Sequence, residues 1–139
     1  MSELRRVGKR PTWLLSRANA RAQSLLADAF AVEGVRGYHF RLLAALEQYG
    51  PASQAELGRR TGIDRSDVVA TLNDLVKRGL ARRDPDQADR RRNVVTITSR
   101  GAKGLERLDG VLGEVQDAVL APLTPNERKT LVRLLARLT

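Results

Sequence analysis

Residues 53–101 read SQAELGRRTGIDRSDVVATLNDLVKRGLARRDPDQADRRRNVVTITSRG, a run whose hydrophobic period changes midway. Ser53-Gln54-Ala55-Glu56 has the form of a capping box, with serine at the N-cap and glutamate three residues on. The helix it opens is short and ends at Gly62. Asp64 is a fitting N-cap for the next helix, whose Val68, Val69, Leu72, Leu75 and Val76 form one apolar face, and Gly79 stands where a C-terminal cap belongs. Leu80–Arg83 and Asn93–Thr98 then read as strands, the second carrying Val94, Val95 and Ile97. Asp84–Arg92 between them is charged and turn-rich, the composition of a hairpin tip.

On the N-terminal side, Leu15, Ala18, Ala22, Leu25 and Ala29 recur at intervals of three and four, which predicts a helix over 12–34. The basic stretch Met1–Pro11 before it, with Gly8 and Pro11, reads as a mobile arm. A second helix, 38–49, carries Phe40, Leu42, Leu43 and Leu46 and is stopped by Gly50-Pro51. On the C-terminal side, Leu105, Leu108, Leu112, Val115 and Val119 make the seam of a long helix that packs along another helix. Thr124-Pro125-Asn126-Glu127 is a second capping box, and the helix after it carries Leu131, Leu134, Leu135 and Leu138.

The 139 residues suit a single domain, 1–139, with an aliphatic core: 42% are hydrophobic but only 4% aromatic. Lys and Arg outnumber Asp and Glu by 25 to 16, a net charge of +9 that points to a polyanionic partner. Solubility, or the arginine usage of a GC-rich genome, is the plainer explanation of the same excess. There is no cysteine, which excludes disulfides and thiolate metal sites. No apolar run approaches the roughly 18 residues of a membrane span, so the expected setting is the cytoplasm with no membrane partner. A single histidine and the lack of a phosphate-binding glycine loop argue against an enzyme; neither a metal site nor a cofactor is expected.

Two short helices separated by Thr61-Gly62-Ile63 have the form of a helix-turn-helix, whose second helix presents its first turns to base edges of double-stranded DNA. The outward positions expected here are Arg65, Ser66, Asp67, Ala70, Thr71 and Asp74. Arg65 suits a bidentate guanine contact, Ser66 and Thr71 a base or phosphate, and Ala70 a thymine methyl. Asp67 suits a cytosine amino group, though a role at the helix N-terminus is the preferred reading. Ser53 and Gln54 open the preceding helix, where free N–H groups form a phosphate clamp; capping alone also accounts for them. Of Arg90-Arg91-Arg92, one (Arg91) is expected to pair with Asp89 or Asp86 and brace the loop, while Arg90 extends into the minor groove.

These residues resemble the winged-helix regulators of the multiple antibiotic resistance regulator (MarR) family. The resemblance lies in Gln54-Ala55-Glu56-Leu57-Gly58, Thr61-Gly62-Ile63-Asp64-Arg65-Ser66, Leu75-Val76-Lys77-Arg78-Gly79-Leu80, Asp84-Pro85, Asp89-Arg90-Arg91 and Thr96-Ile97-Thr98-Ser99-Arg100-Gly101. It implies a mainly α, α+β winged-helix fold, with a DNA-binding region at 38–98 flanked by dimerisation helices at 12–34 and 99–139. It further implies a homodimer on a palindromic operator, usually a repressor released by a small ligand. Dimerisation has its own argument, because one helix and one wing touch few base pairs and the flanking apolar stripes exceed what one small domain covers.

Family members often take aromatic anions near the junction of dimer helices and winged region. Trp13, Arg17, Tyr38, His39 and Arg41 are the candidates, as rings and cations in that part of the chain. Packing is the competing role for Trp13 and Tyr38, and a partly exposed helix position that for His39. An effector-independent or architectural DNA-binding protein shares every other feature. A winged protein-interaction module does too, although the basic wing argues against it.

Overall fold

The computed structural model describes residues 4–139. Six helices and two strands follow in the order α1 (Pro11–Val32), α2 (Gly37–Tyr49), α3 (Gln54–Thr61), α4 (Arg65–Lys77), β1 (Ala81–Pro85), β2 (Asn93–Ile97), α5 (Ser99–Val119) and α6 (Pro125–Ala136). Leu4–Arg10, within the expected basic arm, forms hydrogen-bonded turns, with Gly8 N–H donating to the Leu4 carbonyl at 2.7 Å. The first strand runs further than expected, to Pro85, because its pairing continues to Asn93. Among the described residues no helix is long and apolar enough to cross a membrane.

The chain divides into two compact units, Phe30–Val111 and the described residues up to Ala29 with Leu112–Thr139. In the first, Leu42, Leu43 and Leu46 of α2, Leu57 of α3, and Val68, Leu72 and Leu75 of α4 are at most 1% exposed. Each such aliphatic side chain stabilises the fold by roughly 1.5–3 kcal/mol. The antiparallel strands pair Ala81 with Ile97 and Arg83 with Val95. Ala52 adds a bridge to the same sheet, exchanging both backbone hydrogen bonds with Val95 at 3.0 and 2.8 Å, which ties the start of α3 to the wing.

Glycine sets two joints of this unit. Gly79 (φ 75°) follows α4 in the left-handed region, with Leu80 N–H bonded to the Leu75 carbonyl and Gly79 N–H to that of Val76. Gly101 lies where a Cβ would collide with the Leu80 carbonyl oxygen. Only glycine lets α5 start there, capped by Thr98, whose hydroxyl donates to the Gly79 carbonyl at 2.6 Å and accepts from Gly101 N–H at 3.0 Å.

In the helical unit, Arg21 of α1 donates to the Val119 and Ala118 carbonyls at 2.8 and 3.1 Å, satisfying the C-terminus of α5. Thr124 and Glu127 form the capping box of α6. Val115 is the one buried hydrophobic of this unit among the described residues, while Leu14, Leu15, Val132, Leu134, Leu135 and Leu138 are exposed.

Candidate nucleic-acid interface

The turn between α3 and α4 is built from three residues with separate tasks. Gly62 (φ 70°) takes the left-handed conformation that ends α3, and buried Ile63 anchors the turn in the core. Asp64 then caps α4, its carboxylate accepting from Ser66 N–H at 3.1 Å and from the Ser66 hydroxyl. Those bonds hold the Asp64 carboxyl below the usual carboxylate range. Ser53 caps α3 in the same way, and its hydroxyl is shared with Glu56. The Ser53 and Ser66 hydroxyls are thus engaged in capping, while the helix ends they open stay at the surface.

Arg65, Ser66, Ala70, Asn73 and Lys77 are exposed along α4, and Asp67 is half-buried in its first turn. Thr71 is not outward as expected: it is 6% exposed, because it falls on the same stripe as Val68, Leu72 and Leu75. Asn73 holds the outward position instead. Asp74, also expected to face outward, is a structural acceptor. His39 donates to it from Nε2 at 2.7 Å, and Arg78 forms an ion pair with it, Nε to carboxylate 2.8 Å.

The wing tip is organised by two aspartates. Asp86 accepts from Ala88 N–H at 2.9 Å and pairs with Arg92 at 3.3 Å. Asp89 accepts from Arg91 N–H and from its guanidinium, both at 3.1 Å. The Ala88 N–H bond chiefly lowers the Asp86 pKa, and the Arg91 guanidinium that of Asp89. Arg91 therefore pairs with Asp89 and Arg92 with Asp86. The side chain of Arg90 makes no hydrogen bond or ion pair among the described residues, and neither do those of Arg59, Arg65 and Lys77. Between α3, α4 and the wing lies a cleft of about 750 Å³, lined by Ser53, Gln54, Arg59, Arg65, Arg91 and Arg92 among others.

Arg83 joins three elements of this face, a contact that sequence reasoning missed. From β1 it donates to Asn73 Oδ1 on α4 at 2.7 Å and to Gln54 Oε1 on α3 at 3.1 Å. Its Nε is buried without a partner among the described residues. That costs roughly 1–3 kcal/mol, which the two charge-assisted bonds offset. No local pattern signals such a contact, since the three residues belong to three elements.

The ligand candidates fall in both units. In the helical unit Arg17 lies over the Trp13 ring, 5.8 Å from its centroid. In the winged unit Arg36 and Arg41 lie 5.0 and 5.8 Å from the Tyr38 ring. His39 is buried rather than partly exposed. Its Nδ1 accepts from Arg36 N–H at 3.0 Å, which puts the ring proton on Nε2, facing Asp74. The pair spans α2 and α4 and is extended by Arg78, which donates to the Gly34 carbonyl at 2.6 Å.

The MarR family profile matches residues 33–92. Over 125 residues the chain is 28% identical to the HTH-type transcriptional repressor NicR of Pseudomonas putida, covering 90% of this chain and 79% of that one. A probable transcriptional regulator from Pseudomonas aeruginosa superposes with a TM-score of 0.81 at 34% identity, covering 94% of this chain and 98% of that one. BpsR of Bordetella bronchiseptica, whose DNA binding is regulated by 6-hydroxynicotinic acid, superposes with a TM-score of 0.80 at 26% identity, over 95% and 94% of the two chains. With its capped helix pair, glycine-set joints and aspartate-braced wing, this chain belongs to the MarR family of winged helix-turn-helix, DNA-binding transcriptional regulators.

Proposed function

We infer that the protein is a homodimeric repressor of a palindromic operator, acting in the cytoplasm and released by a small aromatic acid. One observation carries the reading: Arg59, Arg65, Lys77 and Arg90 are left without acidic partners around a capped helix pair and a braced wing. Cations that are already paired gain little from phosphate, whereas these four gain fully. In this reading α4 enters the major groove, with Arg65 on guanine, Ala70 on a thymine methyl, and Ser66 and Asp67 at the helix start. The N-terminus of α3, at Ser53 and Gln54, meets a phosphate. Arg90 enters the minor groove, while Arg91 and Arg92 hold the tip rigid and add positive potential.

The dimer is supported by the helical unit, which buries a single hydrophobic of its own and exposes leucines on α1 and near the C-terminus. A second copy of the chain is the natural cover for such helices. For the effector, support comes from the cation–ring pairs at Trp13 and Tyr38 and from the acid that regulates BpsR. The test is selection of bound duplexes from a random pool near physiological salt. A palindromic consensus is expected, and its binding should weaken when aromatic carboxylates are added. Retention without consensus would replace this reading with that of a backbone-binding architectural protein.

A further inference from the structure

Arg83 differs from the other arginines of the wing in that it points back into the helix pair rather than out from it. Its guanidinium holds Asn73 Oδ1 at 2.7 Å and Gln54 Oε1 at 3.1 Å. A guanidinium only donates, so both amides must turn their oxygens towards Arg83. The NH2 group of each amide is then left free for a partner. Asn73 lies on the exposed stripe Ser66, Ala70, Asn73, Lys77 of α4, at helical intervals of four, three and four.

An unconstrained asparagine in the major groove favours adenine, because its oxygen accepts from N6 while its nitrogen donates to N7. The oxygen of Asn73 already carries a charged donor. Its second lone pair remains, but an adenine amino group meeting it would be brought up beside a cation. Guanine offers acceptors at both N7 and O6, which suit an NH2 donor backed by positive charge. We propose that Arg83 is a positioning residue that sets the polarity of the Asn73 and Gln54 amides, making Asn73 a reader of guanine rather than adenine. The same polarity makes Gln54 a donor to phosphate at the start of α3. This inference rests on α4 lying in the major groove, as the proposed function has it.

The experiment compares duplexes selected by the wild-type protein, Asn73→Ala and Arg83→Met, with circular dichroism confirming the fold of each. Asn73→Ala should flatten one symmetric pair of positions by about fivefold or more and leave the others alone. Wild type should prefer guanine there, and Arg83→Met should shift that same position to adenine. Arg83→Leu, which also removes every donor at this position, is made beside it so that a folding loss in one variant leaves the comparison standing. A merely structural Arg83 would lower affinity uniformly and keep the base profile. An unchanged profile in the Arg83 variants, wild-type adenine at the Asn73 position, or no position that responds to Asn73→Ala would each overturn the proposal. A wild-type protein that selects no consensus would overturn the regulator reading itself.

Discussion

Removing the side chain of Arg90 separates the two tasks assigned to the wing arginines. Arg91 and Arg92 are tied to Asp89 and Asp86, whereas Arg90 touches no partner among the described residues. Arg90→Ala should therefore leave stability within about 0.5 kcal/mol of wild type, as expected for a surface position that makes no contact. Its effect belongs to the complex. Each phosphate neutralised contributes about 0.9 to the slope of log K against log salt, so a dimer losing two contacts should lose about 1.8. The affinity gap between wild type and variant should then close about tenfold between about 50 and 200 mM salt. Fluorescence anisotropy of a labelled duplex across that range measures both quantities. Arg91→Ala is the comparison: it breaks an exposed, solvent-screened pair and loosens the tip. If Arg90→Ala kept the wild-type affinity and slope while Arg91→Ala lost them, the division of roles drawn from the ion pairs would be wrong.

Arg65→Ala should relax preference at one base position in each half-site by roughly 1–3 kcal/mol, read from competition between single-substitution duplexes; an equal loss on every duplex would reassign Arg65 to phosphate. Gly101→Ala should destabilise the fold by about 1–3 kcal/mol in urea denaturation, since the new methyl collides with the Leu80 carbonyl. An unchanged midpoint would mean that the start of α5 shifts freely. The Asp74 carboxyl is held below its usual value of 3.8, first by the His39 hydrogen bond and then by the Arg78 charge. Its lowered pKa means that its stabilisation is complete above pH 3.8 and lost as pH falls through the lower folded value. Asp74→Asn should accordingly be less stable at neutral pH and show a shallower acid loss than wild type, followed by thermal melts across that range.

Features that depend on near neighbours were legible in the sequence. Ser53 with Glu56 and Thr124 with Glu127 close capping boxes three residues apart, and Gly79 follows α4 with its N–H bonded to Val76 and that of Leu80 to Leu75. The apolar spacing of Leu72 and Leu75 sufficed to bury them. Thr71 differs from the expectation because it stands three residues after Val68 and four before Leu75, on the side of α4 that packs into the core. Long-range polar contacts were not legible at all. Arg83 meets Gln54 from 29 residues away, His39 meets Asp74 from 35, and Ala52 joins Val95 across the sheet. Each depends on where separate elements converge, which no local period encodes. Among three adjacent arginines, Arg91 is the one the sequence analysis expects to pair with Asp89 or Asp86, and it pairs with Asp89; that Arg92 takes Asp86 follows from turn geometry rather than order.

Hydroxyl-radical cleavage of a bound duplex tests the central claim most directly, because it reports the two-fold arrangement and the wing contacts together. A dimer reading DNA through α4 and the wing should protect two segments related by a dyad, their centres about 10 base pairs or a multiple apart. Outer protection in the flanking minor grooves should disappear in Arg90→Ala. A single unsymmetrical segment, or even protection along the whole duplex, would contradict the account.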